Sequence, residues 1–75
     1  MTVTLKKRSL SLSSHRTSIA LEPEFWQALE QIAHARGLSL NGLIAEIDSD
    51  RPQGYGLAQA TRIYTLKWFR GSDQE

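Results

Sequence analysis

Apolar positions along this chain change period from one stretch to the next. Residues 16–21 read Arg-Thr-Ser-Ile-Ala-Leu, with Thr17, Ile19 and Leu21 on one side and Arg16, Ser18 and Ala20 on the other. Period two is the signature of a half-buried strand. Upstream, Val3, Leu5, Leu10 and Leu12 alternate only loosely among Thr, Ser and Lys, and four serines fall within residues 9–14. That composition predicts a flexible arm or a weak strand for residues 1–14. No second convincing strand follows, so the backbone groups of residues 16–21 need a partner from elsewhere. A symmetry-related copy of the same strand would supply one.

From Glu22 the period lengthens. Pro23 suits the first helical position because its missing N–H costs nothing there, and Glu22 and Glu24 favour the positive end of the helix dipole. Phe25, Ala28, Leu29, Ile32 and Ala33 form one apolar stripe, with Trp26 off its centre and expected to cover a neighbouring helix. Gly37 is placed to end the helix in the left-handed conformation. Ser39 then offers a hydroxyl to cap a second helix, whose stripe is Leu40, Leu43, Ile44 and Ile47. Asp48, Ser49 and Asp50 break that stripe, and acids at a helix C-terminus oppose the dipole, which predicts fraying. Residues 51–56, Arg-Pro-Gln-Gly-Tyr-Gly, read as a loop.

Residues 57–70 make a third helical pattern, with Leu57, Ala60, Thr61, Tyr64 and Trp68 on one side. Ile63 and Leu66 sit on the other among Gln59, Arg62, Lys67 and Arg70. A helix apolar on two sides packs in two directions, one of them towards another chain. The expected organisation is an arm at 1–14, a folded unit at 15–70 and a polar tail at 71–75, with no internal repeat.

Charge sharpens this picture. The net charge is only +1, but four of the nine basic residues, Lys6, Lys7, Arg8 and Arg16, lie in residues 1–16 and none of the eight acids does. The rest, five bases against eight acids, carries −3. A basic N-terminal segment on a mildly acidic body points to a localised contact with a polyanion. Seventy-five residues form one small domain that needs outside support. With no cysteine and two histidines, disulfides and zinc are poor candidates, which leaves oligomerisation. No apolar run approaches the roughly 20 residues of a membrane span, and residues 1–16 lack the pattern of a signal peptide, so a cytoplasmic location is expected.

Nothing in the sequence suggests catalysis or a bound cofactor. His15 and His34 stand without a nucleophile motif, Gly54-Tyr55-Gly56 lacks the lysine and strand context of a nucleotide loop, and Asp48 with Asp50 is too little for a calcium loop.

The order strand, short helix, Gly37-Leu38-Ser39-Leu40-Asn41, second helix resembles the ribbon-helix-helix family of bacterial and phage DNA-binding proteins, the Arc and MetJ type. The resemblance covers roughly residues 15–50, and the third helix makes the chain look like a three-helix bacterial subgroup. It implies a mostly α fold with one N-terminal strand, paired antiparallel with its copy in an intertwined homodimer whose ribbon enters the major groove of double-stranded DNA. It also implies that Arg16, Ser18 and Ala20 face the bases and that Ser39 and Asn41 hold a backbone phosphate. Lys6, Lys7 and Arg8 would add phosphate contacts, and Ile19, Leu21, Leu43, Ile44 and Ile47 would form the dimer core. Arginine donates two bonds to guanine O6 and N7, serine serves donors or acceptors, and a methyl packs on the thymine methyl. The amides that open a helix attract an anion.

The function so implied is a transcriptional regulator, such as a repressor. A protein-interaction module on the same fold, antitoxin-like and acting through Tyr64, Trp68 and Phe69, is the alternative. Antitoxins of this fold commonly carry a long partner-wrapping tail after the second helix, where this chain has a third helix and about five tail residues, which ranks that variant lower.

Overall fold

The structure, a computed structural model, describes residues 4–12 and 15–71. Residues 1–3 of the expected arm, Ser13 and Ser14 of its serine run, and 72–75 of the expected tail lie outside the described residues. The described chain runs β1 (Lys6–Ser11), β2 (Arg16–Leu21), α1 (Pro23–Arg36), α2 (Leu40–Asp50) and α3 (Leu57–Gly71). It is a two-stranded antiparallel sheet followed by three helices, the mostly α ribbon-helix-helix arrangement that the sequence predicts.

One element departs from expectation. Within residues 1–14, read as an arm or weak strand, residues 6–11 form the full strand β1, and β2 finds its partner inside its own chain rather than only in a copy. Lys6 pairs with Leu21, Arg8 with Ile19 and Leu10 with Thr17 on the helix side of the sheet, while Lys7, Ser9 and Ser11 stand opposite Ala20, Ser18 and Arg16 on the other. Two of the inward positions are charged residues with long apolar stems, so alternation of hydrophobicity is masked in the letters. Arg8 lays its guanidinium over the Trp26 ring, 4.8 Å from the centroid, and reaches Glu30 at 3.0 Å. Leu10 and Leu12 are buried, as a half-buried strand requires.

Trp26, expected to cover a helix, covers β1 instead. It is 2% exposed, and its Nε1–H donates to the Lys6 carbonyl at 2.8 Å. The buried stripe of α1 is therefore Trp26, Leu29, Ile32 and Ala33, with Phe25 and Ala28 at its margin. The helix ends as its sequence dictates: Gly37 adopts φ 70°, its N–H donates to the His34 carbonyl, and the Leu38 N–H reaches back to Ala33. Those bonds satisfy carbonyls the helix leaves open.

Ser39 caps α2 by accepting from the Gly42 N–H at 2.9 Å. Leu43, Ile44 and Ile47 are buried, and the expected fraying at the far end is countered by Arg51, which donates to the Asp48 carboxylate and to the Tyr55 carbonyl. In α3 the buried residues are Ala60, Thr61 and Thr65. Both threonine hydroxyls donate one turn back, to the Leu57 and Thr61 carbonyls, so their burial leaves no polar atom unsatisfied. Trp68, placed on the inner side by its spacing, is 37% exposed and stacks on Tyr64.

Two polar clusters fasten the helices. Arg36 at the end of α1 donates two bonds to Glu46 of α2 and one, at 3.0 Å, to the Tyr64 hydroxyl of α3. Glu46 raises the pKa of the Arg36 guanidinium above its ordinary value, and Arg36 in return holds the Glu46 carboxyl below its own. Glu22, at the junction of β2 and α1, pairs with Arg62 of α3 at 3.0 Å. A backbone hydrogen bond and Arg62 keep its carboxyl below the usual range.

Candidate nucleic-acid interface

The parity of the hairpin decides what the sheet presents. Leu12 and His15 exchange both backbone bonds, N–H to carbonyl at 2.8 and 3.3 Å. Bonded and non-bonded pairs alternate along an antiparallel ladder, so Leu10·Thr17, Arg8·Ile19 and Lys6·Leu21 bond across the hairpin. The N–H and carbonyl groups of Lys7, Ser9 and Ser11 then point away from β2, and those of Arg16, Ser18 and Ala20 away from β1.

The two edges are treated differently. At β1, the Asn41 carboxamide accepts from the Ser11 N–H at 2.9 Å and donates to the Ser11 carbonyl. At β2, no hydrogen bond to Arg16, Ser18 or Ala20 backbone groups is found among the described residues. A row of unpaired strand groups is a template for another strand.

Perpendicular to these edges, the face turned from the helices carries six residues: Lys7, Ser9, Ser11, Arg16, Ser18 and Ala20. All but the half-buried Ala20 are exposed, and none is acidic. Arg16, Ser18 and Ala20 thus lie together on the side the sequence predicts. Ser9 and Ser11 join them, unpredicted; the clue was the polar series Lys7, Ser9, Ser11 alternating with Leu10 and Leu12. Lys6 and Arg8, grouped with Lys7 by sequence, emerge on the opposite side, where Arg8 is engaged by Trp26 and Glu30.

Ser39 and Asn41 sit at the start of α2, each with its side chain already bonded, Ser39 to the helix and Asn41 to β1. The amides of Leu40 and Asn41 are the first two of that helix and have no partner among the described residues. Ile19, Leu21, Leu43, Ile44 and Ile47 are all buried within this one chain.

Elsewhere, a cleft of about 240 Å³ lies between α2, the 51–56 loop and α3, with Ile47, Ala60, Tyr55 and Tyr64 in its walls. It is smaller than the roughly 300–1,000 Å³ of small-molecule sites. Among the described residues there is no cluster of three potential metal ligands and no helix long and apolar enough to cross a membrane.

Residues 5–69 match a family model described as a ribbon-helix-helix domain. No curated protein and no solved structure gives a significant match to the chain.

Proposed function

The chain belongs to the ribbon-helix-helix domain family, and from that premise we propose that it is a DNA-binding regulator of transcription, a repressor in the simplest case. It acts as a homodimer in the bacterial cytoplasm, through the acid-free face of its sheet. The observation that carries this reading is the open edge of β2 beside that face. Pairing of β2 with its copy about a two-fold axis satisfies the outward groups of Arg16, Ser18 and Ala20 and brings two Arg16 side chains onto one surface. A β-ribbon of that kind is narrow enough for the major groove.

In this reading Arg16 reads a guanine edge, Ser18 and Ala20 fill the space between, and the open amides of Leu40 and Asn41 meet a phosphate with Ser39 holding the helix start in shape. Ile19, Leu21, Leu43, Ile44 and Ile47 form the core on which the ribbon rests. The test is anisotropy titration of labelled duplexes, genomic against random. Arg16→Ala should weaken binding to the preferred duplex by about 1–3 kcal/mol and relax its preference at one base pair per half-site. Equal affinity of wild type and Arg16→Ala on every duplex would remove Arg16 from the interface.

One observation favours a second reading, contact with another protein through α3. Leu66, Trp68 and Phe69 are 53, 37 and 39% exposed on a single helix. Tyr64 is not free for that role, since its hydroxyl and ring are engaged by Arg36 and Trp68. Retained DNA affinity in Leu66→Glu with loss of a co-purifying protein would assign α3 a role of its own.

A further inference from the structure

We infer that β1 is the phosphate-ridge strand of the DNA complex, and that of the three consecutive cations at its start only Lys7 touches DNA, together with Ser9 and Ser11. This rests on the DNA reading above and adds residues and a geometry to it.

Asn41 occupies the β1 edge at Ser11, leaving only Lys7 and Ser9 open there, whereas all three outward positions of β2 are open. A second copy therefore adds at β2, and the order across the resulting sheet is β1-β2-β2-β1, two strands from each protomer. Neighbouring strands lie about 4.8 Å apart, so the two outer strands of such a sheet are about 14 Å apart. The major groove is about 12 Å wide and accepts a two-stranded ribbon. The central pair fits and the outer pair does not. With β2 and its copy in the groove, each β1 is carried over a groove lip, where the phosphates run.

Which β1 side chains meet those phosphates is fixed by the pleat. Successive residues alternate faces, and the register places Lys7, Ser9 and Ser11 on the face shared with Arg16 and Ser18. Lys7 is exposed and has no ion-pair partner among the described residues. Lys6 leaves the strand on the helix side, with its carbonyl held by Trp26. Arg8, also on that side, is stacked on Trp26 and paired with Glu30. A lysine ammonium and two serine hydroxyls are donors suited to phosphate oxygens, and they position the protein without reading sequence. Asn41 is the positioning residue: it ties the end of β1 to the start of α2, so the ridge strand and the open amides of that helix move as one surface.

The experiment compares two adjacent cations that differ only in the face they occupy. Affinity for a fluorescein-labelled duplex is measured over a salt series with wild type, Lys6→Ala and Lys7→Ala, each full-length. Each phosphate that a protomer no longer neutralises lowers the slope of log affinity against log salt by roughly 0.9, so Lys7→Ala should flatten it by about 1.8 per dimer. Lys6→Ala should leave the slope at the wild-type value. Equal flattening by both variants, or none by Lys7→Ala, overturns the assignment of β1 while leaving the DNA reading intact. Failure of the wild type to bind duplex DNA at any salt overturns the DNA reading, and this inference with it.

Discussion

The Asn41 carboxamide bonds both backbone groups of Ser11, accepting from its N–H and donating to its carbonyl, across thirty residues of sequence. One side chain thereby satisfies the last outward-facing position of β1 and occupies that end of the edge. Asparagine suits this because one amide group offers both a donor and an acceptor.

Asn41→Ala removes both bonds at once. Because the site is exposed, water replaces them, and the loss of stability should be modest, about 1 kcal/mol. Hydrogen exchange at the Ser11 amide should accelerate far more than at the Leu43 amide in the buried turn of α2. Unchanged protection at Ser11 would show that the bond does not persist in solution.

Much of the fold is legible in the letters because local chemistry and tertiary packing agree there. Pro23, Gly37 and Ser39 mark helix ends by backbone geometry that needs no partner, and the structure uses each as expected. What stayed open was β1, read as an arm or a weak strand, and what its pairing with β2 within the chain brings with it. Lys6 and Arg8 occupy helix-side positions that periodicity assigns to apolar residues, and both are engaged by Trp26, more than fifteen residues away, Lys6 through its backbone carbonyl and the half-buried Arg8 through its guanidinium. Without the pairing of β1 to β2, Trp26 is assigned to a neighbouring helix and Asn41 reads only as a phosphate ligand. The outward set Arg16, Ser18 and Ala20 is recoverable because β2 alternates cleanly; Ser9 and Ser11 alternate with Leu10 and Leu12, but the charged Lys6 and Arg8 interrupt that pattern on the helix side.

Trp26→Phe isolates the indole N–H. The ring remains beneath Arg8, while the hydrogen bond to the Lys6 carbonyl is lost. Chemical denaturation should register a loss of about 0.5–1.5 kcal/mol. Trp26→Ala also empties a buried volume and should cost about 3–5 kcal/mol. If both variants lose equally little, the indole does not hold β1 in place.

Acid should weaken the helix clusters. The Glu22 and Glu46 carboxyls are held below the ordinary 4.5, the first by a backbone hydrogen bond and Arg62, the second by Arg36. A group whose folded pKa is depressed contributes stability above its unfolded value and loses it as pH falls through the folded value. The melting temperature should therefore decline as pH drops below about 4.5, the unfolded reference. Arg36 stays charged throughout, since its own shift is upward. Glu46→Gln should melt lower than wild type at neutral pH, with the gap closing in acid. A gap independent of pH would show that the Arg36–Glu46 pair does not couple to folding.

The open edge of β2 can be tested by proline, which removes one backbone donor at a time. The Ser18 N–H points away from β1 and the Ile19 N–H points towards it, as the Leu12–His15 pair and the register require. Proline is tolerated in a strand where its missing N–H would face no partner in the same sheet. In an isolated protomer Ser18→Pro therefore breaks no hydrogen bond, whereas in the dimer it interrupts the ladder between the two β2 strands. Ile19→Pro removes a bond of the hairpin itself and disturbs a buried side chain. Sedimentation should find Ser18→Pro folded but monomeric at concentrations where wild type is a dimer, and circular dichroism should find Ile19→Pro largely unfolded. Because β2 has β1 as a partner within the chain, the folded monomer is an accessible state. A Ser18→Pro protein that remains dimeric would place the dimer contact elsewhere, and the ribbon across the two-fold axis would have to be abandoned.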